Sequence, residues 1–109
     1  MKMLKIYVSN TDKLMGKSVY EGLAYEAKNF GLAGVTVYKG VMGSGKSSEM
    51  HSEKFWEISE KIPVILEFVD VAEKIDGFIL LIKPLIDKLP KGCLMVTQQV
   101  DVVLQKQGV

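Results

Sequence analysis

Arginine is missing altogether from this 109-residue sequence: all 14 basic side chains are lysines, set against 13 carboxylates, for a net charge of +1. No sequence-wide field therefore draws the chain to nucleic acid or to an anionic membrane. Any phosphate must be met by ammonium point charges rather than by the bidentate fork of a guanidinium. Cysteine and histidine are nearly missing too, at one each, Cys93 and His51. A lone cysteine closes no intrachain disulfide, and one of each falls short of a zinc ligand set, so a reducing, cytoplasmic setting is expected. Long apolar runs are also lacking, since the longest, residues 77–82, is far too short to span a bilayer. Lysines interrupt the apolar N-terminal stretch and no small-residue cleavage site follows it, which argues against a signal peptide. With 48% hydrophobic and 25% charged residues and no internal linker or low-complexity segment, the composition is that of a globular domain. The length suits a single domain over residues 1–109, with a core that needs neither metal nor disulfide.

Present instead is clear periodicity. Leu4, Ile6 and Val8 alternate with Met3, Lys5 and Tyr7, the pattern of a half-buried strand over residues 3–8. A turn cluster, Ser9-Asn10-Thr11-Asp12, precedes Ser18 and Glu21, which match a capping box and predict a helix over 18–30. Val19, Leu23, Ala27 and Phe30 give it an apolar face, and Gly31 supplies the left-handed stop. Residues 35–38 read as a second strand that delivers the chain to a glycine-rich loop. Residues 49–61 fit neither period. Pro63 opens a third strand over 63–69, proline being least harmful at a strand start. Asp70 with Glu73 predicts the cap of a second helix, whose face of Ile75, Phe78, Ile79, Ile82 and Ile86 should be kinked or broken at Pro84. After a turn at Leu89-Pro90-Lys91-Gly92, residues 93–96 and 100–104 read as strand with an irregularity at 97–99, ahead of a polar tail.

The order β-α-β-loop-β-α-β predicts an α+β, ferredoxin-like fold, a four-stranded antiparallel sheet with two helices on one face. Its other face would carry Met3, Lys5, Tyr7, Thr36, Tyr38, Ile65, Glu67 and Val69. That set is too apolar for a freely solvated surface, and it predicts a buried subunit interface in which Lys5 and Glu67 pair. A moderately apolar open sheet is the alternative.

The loop itself, Gly40-Val41-Met42-Gly43-Ser44-Gly45-Lys46-Ser47-Ser48, places three glycines in six positions beside a charge and hydroxyls. Glycine permits positive φ and close backbone approach, which suits an anion. Gly40 to Ser47 also satisfies the spacing G-x-x-x-x-G-K-[ST] of the phosphate-binding loop, whose N–H groups cradle phosphates. A nucleotide hydrolase or kinase would use Lys46, Ser47 and, as magnesium ligand after an apolar strand, Asp70. Such enzymes need a parallel sheet and a helix begun by the loop's lysine and serine. Here the stretch after Ser47 is a poor helix former, and too little chain follows Asp70 for a parallel core. An anion- or nucleotide-binding loop on another fold is the favoured reading.

The pattern Gly31-Leu32-Ala33-Gly34, the glycine loop 40–45, Ser47-Ser48, Met50-His51, and Pro63-Val64 through Val69-Asp70 resembles the PII signal-transduction superfamily, and within it an uncharacterised PII-like branch filed as a domain of unknown function. The resemblance covers nearly the whole chain. It implies a homotrimer with sheets facing inward, and an adenine nucleotide (AMP, ADP, ATP or a cyclic nucleotide) bound between subunits. By position, Lys39, Gly40, Gly43, Gly45, Lys46, Ser47, Ser48 and His51 would form the loop side of that cleft, with Lys91 and Gly92 from the neighbouring subunit. It implies no catalytic residue, no metal ligand and no required cofactor, leaving magnesium open. The partner it implies is a membrane transporter or an enzyme, met through loop 41–54, with no role for nucleic acid. The sequence departs from PII proteins in a shorter loop without tyrosine, and in having only lysines for phosphate.

Single residues carry plainer readings as well. His51 could meet a phosphate or be polar surface. Cys93 suits a small packed residue. Phe55 and Trp56 suit an anchor for the loop's return better than a base-stacking platform, and Glu67 suits pairing with Lys5 better than general-base work. A structural or metal-tolerance trimer without nucleotide is a third hypothesis, poorly served by the scarcity of metal ligands.

Overall fold

The alternation at the N-terminus becomes β1 (Lys2–Ser9), with Leu4, Ile6 and Val8 buried on one face. The structure, a computed structural model, describes residues 1–14, 16–41, 43–45, 48–51, 62–89 and 92–106. A two-residue ladder comes next, β2 (Lys13–Leu14) against β3 (Lys17–Ser18), before α1 (Val19–Phe30). The chain then forms β4 (Thr36–Lys39), β5 (Gly43–Gly45), β6 (Ser48–His51), β7 (Pro63–Asp70), α2 (Ala72–Asp87) and β8 (Leu94–Gln99).

The main sheet runs β4-β7-β1-β8, every neighbouring pair antiparallel. The two outer strands, β4 and β8, are those reached from the helices, and β1 and β7 lie at the centre. This is the split βαβ arrangement predicted from the element order, α+β and ferredoxin-like.

Both helices bury their apolar stripe against the same face. Val19, Leu23 and Ala27 of α1 and Ile75, Phe78 and Ile82 of α2 meet Leu4, Ile6, Val8, Val64, Leu66 and Phe68 of the central strands. At the middle of this layer the Phe78 ring lies 5.3 Å from that of Phe68 and 5.8 Å from that of Phe30, tilted in both cases. Tilted rings bring the positive edge of one towards the negative face of another, a favourable arrangement beyond the area buried. Gly31 ends α1 at φ 96°, and its N–H reaches the carbonyls of Ala27 and Lys28. That left-handed turn is the reason for glycine there.

Four local expectations need correction. Ser18 does stand at the N-cap of α1, but its side chain makes no capping bond; its hydroxyl donates to the Glu21 carboxylate instead. The cap of α2 is Val71 and not Asp70, which closes β7. Pro84 neither ends nor splits α2, which runs through it to Asp87. A proline removes one N–H from the ladder, and the packing of Ile75, Phe78 and Ile82 outweighs that loss here. Finally, β8 is continuous across residues 97–99 and stops at Gln99, while residues 100–104 belong to no strand. Val100 N–H still donates to the Met1 carbonyl at 3.1 Å, but β1 begins at Lys2, already paired with Gln99, and among the described residues no strand pairs with those beyond.

Candidate ligand-binding site

Strand register decides what meets at each end of the sheet. Lys39 lies opposite Val64, Val64 opposite Val8, and Ser9 opposite Pro63. Leu94 lies opposite Tyr7, so the chain enters β8 through Gly92 and Cys93 at this same end. The segment 41–62 therefore leaves and rejoins the fold where the turn before β8 arrives.

Both ends of that segment are held by backbone bonds. Gly40 N–H donates to the Pro63 carbonyl at 2.8 Å, extending the β4–β7 ladder by one step. A Cβ on Gly40 would fall 2.9 Å from Cγ of Pro63, closer than real Cβ contacts come. Gly40 is thus needed for room beside the proline ring rather than for positive φ. On the return side, Asn10 N–H donates to the Ile62 carbonyl at 2.8 Å, and Ile62 N–H donates back to Oδ1 of Asn10 at 2.6 Å. The asparagine side chain completes, in place of backbone, the pair that continues β1–β7 beyond Ser9. The turn carrying it is fixed in its own right: Ser9 N–H donates to Asp12 Oδ2 at 3.0 Å, Thr11 N–H to Ser9 Oγ at 3.2 Å, and Val19 N–H to the Asp12 carbonyl at 2.9 Å.

Between these anchors the glycine stretch forms part of a ribbon. β5 pairs antiparallel with β6, Gly43 opposite His51 and Gly45 opposite Ser48, with a register shift between them. The ribbon is a sheet separate from the main one. Over Ser48–His51 the chain is thus a strand, at the place where a phosphate-binding loop requires the N-terminus of a helix.

Of the residues expected at the site, Lys39 and Gly92 are exposed at this end of the sheet and Gly40 sits at the loop base. Gly43 and Gly45 lie in β5, and Ser48 and His51 in β6. Lys46, Ser47 and Lys91 fall outside the described residues, as do Phe55 and Trp56. Asp70 is elsewhere. It stands opposite Lys2, seven residues along β7 from Pro63, about 23 Å away at the rise of a strand. There its buried carboxylate accepts Ala33 N–H at 2.9 Å and Val71 N–H at 2.7 Å, tying the approach to β4 onto the end of β7.

Sequence reasoning missed Asn10, which it placed only within a polar turn. A short polar cluster signals a turn and says nothing of which backbone its side chains will reach. Cys93 is half-buried against the core, and burial, with the Asp12 carboxylate adding to it, pushes its thiol up to about 11.

The open face of the sheet is laid out in rows by the same register. Tyr38, Ile65, Tyr7 and Leu94 form one row, Thr36, Glu67, Lys5 and Val96 the next, and Val69, Met3 and Gln98 a third. The expected residues do share this face, joined by three from β8. Lys5 Nζ lies 3.9 Å from Glu67 Oε2, and the Tyr38 hydroxyl donates to the same oxygen at 3.1 Å. Partial desolvation first, then that bond and the Glu67 charge, push the Tyr38 hydroxyl above its ordinary value.

Comparison with solved structures shows the same fold in CPII, a nitrogen regulatory PII-like protein from Thiomonas intermedia K12. A form bound to ADP, AMP and bicarbonate matches with a TM-score of 0.64 at 14% identity, over 91% of this chain and 86% of that one. A form bound to ADP, AMP and acetate matches with a TM-score of 0.58 at 17% identity, over 93% and 88%. Among curated proteins, a UPF0166 protein of Aquifex aeolicus is 37% identical over 78 residues, 72% of this chain and 74% of the relative. The UPF0166 protein MJ1524 of Methanocaldococcus jannaschii is 39% identical over 75 residues, 69% and 68%. The model of the DUF190 family, described as an uncharacterised ACR, matches residues 1–102. With this match across almost its full length, the chain belongs to the DUF190 family.

Proposed function

We propose that the protein is a single-domain, non-enzymatic PII-like regulator that binds an adenine nucleotide at clefts between subunits of a homotrimer. The observation that carries this reading is where segment 41–62 is rooted. The glycine-rich ribbon starts from the sheet end at which the turn before β8 also arrives, and it is clamped there by Gly40 and Asn10. Lys39, Gly40, Gly43, Gly45, Lys46, Ser47, Ser48 and His51 would offer N–H groups, ammonium and hydroxyls to phosphate, facing Lys91 and Gly92 of the neighbouring subunit. The fold likeness to CPII, itself seen with ADP and AMP, supports the choice of ligand.

The apolar open face supports assembly, since its rows would pack against the same rows of other subunits with Lys5, Glu67 and Tyr38 satisfied among themselves. Nucleotide contacts with the ribbon would fix its orientation, and that orientation would be the signal presented to a target transporter or enzyme. Among the described residues no helix is long and apolar enough to cross a membrane, and a cytoplasmic setting is part of the proposal. Against the hydrolase alternative, Ser48–His51 is a strand where such an enzyme requires a helix, and Asp70 lies at the far end of β7.

Calorimetric titration with AMP, ADP, ATP and cyclic AMP, with and without magnesium, tests the reading, each mixture being assayed for released phosphate. Saturable binding without hydrolysis, weakened about tenfold or more by Lys46→Ala or Gly43→Val, is expected. Magnesium-dependent phosphate release would replace the regulator by an enzyme. Absence of binding to all four nucleotides would leave the ribbon as a protein-docking element.

A further inference from the structure

Among the described residues the two most exposed apolar side chains, Val103 and Leu104, lie just past β8. Val102, Val103 and Leu104 are 41%, 97% and 82% exposed, on a segment that belongs to no strand. A single exposed valine needs no explanation, but three consecutive apolar residues on a segment outside any strand, bending at Val103, form a ready-made apolar plug. Asp101 precedes them.

A matching recess lies beneath the other edge of the sheet. Ala24, Tyr25, Ala27 and Lys28 of α1, with Leu32 and Val35 on the approach to β4, line an open and mainly apolar groove of about 460 Å³. The charge in its lining is that of Lys28, of sign opposite to Asp101. Groove and arm sit at the same end of the sheet. The arm leaves from Gln99, which pairs with Lys2; Lys2 pairs with Asp70, and the Asp70 carboxylate holds Ala33 beside the groove. They sit at opposite edges, because β8 and β4 are the two outer strands. A plug at one edge and a socket at the other, level with each other, is the layout of a head-to-tail contact, which forms a ring where the rotation between copies closes.

We propose that the arm of one subunit docks in the α1–β4 groove of a second copy of this chain. Val103 and Leu104 fill the groove, and Asp101 pairs with Lys28. Within its own subunit the arm leaves Val103 almost wholly in water, so the occupant comes from outside. This strap needs no nucleotide; it rests on the proposed regulator only in requiring more than one subunit.

Crosslinking in the full chain tests it. In a Cys93→Ser background, Leu104→Cys combined with Ala24→Cys should, on mild oxidation, link subunits covalently up to the closed ring, while either cysteine alone gives no such ladder. Linkage confined to single chains, or no linkage, overturns the proposal. Because Val103 is exposed, Val103→Asp leaves the subunit core intact, and it should raise the concentration at which the assembly dissociates by about tenfold or more. Lys28→Glu and Asp101→Lys should each weaken assembly, and their combination should restore it. A wild-type trimer indifferent to Val103→Asp overturns the strap and leaves the trimer standing. A wild-type monomer overturns both.

Discussion

Replacing Asp70 separates its structural role from the magnesium-binding role that its place after an apolar strand suggests. Asp70 is 9% exposed, and its carboxylate bridges two backbone donors, Ala33 N–H from a segment 37 residues away and Val71 N–H beside it. A hydrogen bond to a charged acceptor contributes roughly 1.5–3 kcal/mol, and the long-range one to Ala33 carries most of the effect. Ala33 is exposed, so water recovers part of the loss, and Asp70→Ala should cost about 2 kcal/mol. For a chain of this size that lowers Tm by roughly 10 °C. Asp70→Asn keeps one acceptor oxygen and should cost about half as much. Urea unfolding followed by far-ultraviolet circular dichroism measures both, with an unchanged m-value expected because the surface exposed on unfolding is the same. Nucleotide affinity of the folded variant should stay within about twofold of the parent, since Asp70 and the loop base occupy opposite ends of β7. A stability change under about 0.5 kcal/mol would refute the bridge. A magnesium-dependent loss of affinity of about tenfold would refute the separation of Asp70 from the ligand.

Gly40→Ala should destabilise by about 1–2 kcal/mol in the same unfolding assay, because the new methyl meets the Pro63 ring and neither β4 nor β7 can yield without breaking the Gly40–Pro63 bond. Asn10→Ala removes the acceptor for Ile62 N–H and should cost about 1 kcal/mol, with faster proteolytic nicking inside 41–62 as the more telling readout. With its thiol raised to about 11, Cys93 should react with iodoacetamide at pH 8 about a hundredfold more slowly folded than unfolded. Between about pH 9 and 11 the unfolded thiol ionises first and binds fewer protons than the folded one, so stability should fall as pH rises through that window. Cys93→Ala should flatten that fall.

The strands with one buried face were legible because burial imposes a period of two, and Leu4, Ile6 and Val8 or Val64, Leu66 and Phe68 have no other way to share a core. The helices were legible for the matching reason at Val19, Leu23, Ala27 and at Ile75, Phe78, Ile82. Ends and caps were less so. Asp70 and Ser18 are residue types that favour a cap, yet Asp70 took Ala33, 37 positions away and supplied only by the folded chain, and Ser18 met Glu21 side chain to side chain rather than through backbone N–H groups. The stop of β8 at Gln99 depends on where β1 begins, a fact of pairing that the apolar run at 100–104 does not carry. At the site, the glycines announced an unusual backbone, but Gly40 is small to admit a proline 23 positions on, and Asn10 matters through a backbone 52 positions away. Neither distance leaves a trace in local spacing.

The phosphate-loop motif shows how topology changes what the same letters mean. In a parallel sheet the strand that ends in an acid points the same way as the strand that ends in the loop, so magnesium and phosphate meet at one end. Here β4 and β7 are antiparallel neighbours, and the acid after β7 is carried to the opposite end by that geometry alone. Nor do the backbone N–H groups after the motif converge as they do at a helix start, because Ser48–His51 is a strand and its donors point alternately to either side. The letters of the motif still supply glycine's freedom, an ammonium and hydroxyls, the chemistry by which the proposed site would hold an anion. Among the described residues the chain on either side of the ribbon is bonded to the main fold at Gly40 and Ile62. In the proposed function a phosphate bridging the ribbon to the next subunit would add a further attachment, and so bias the direction in which the ribbon is presented.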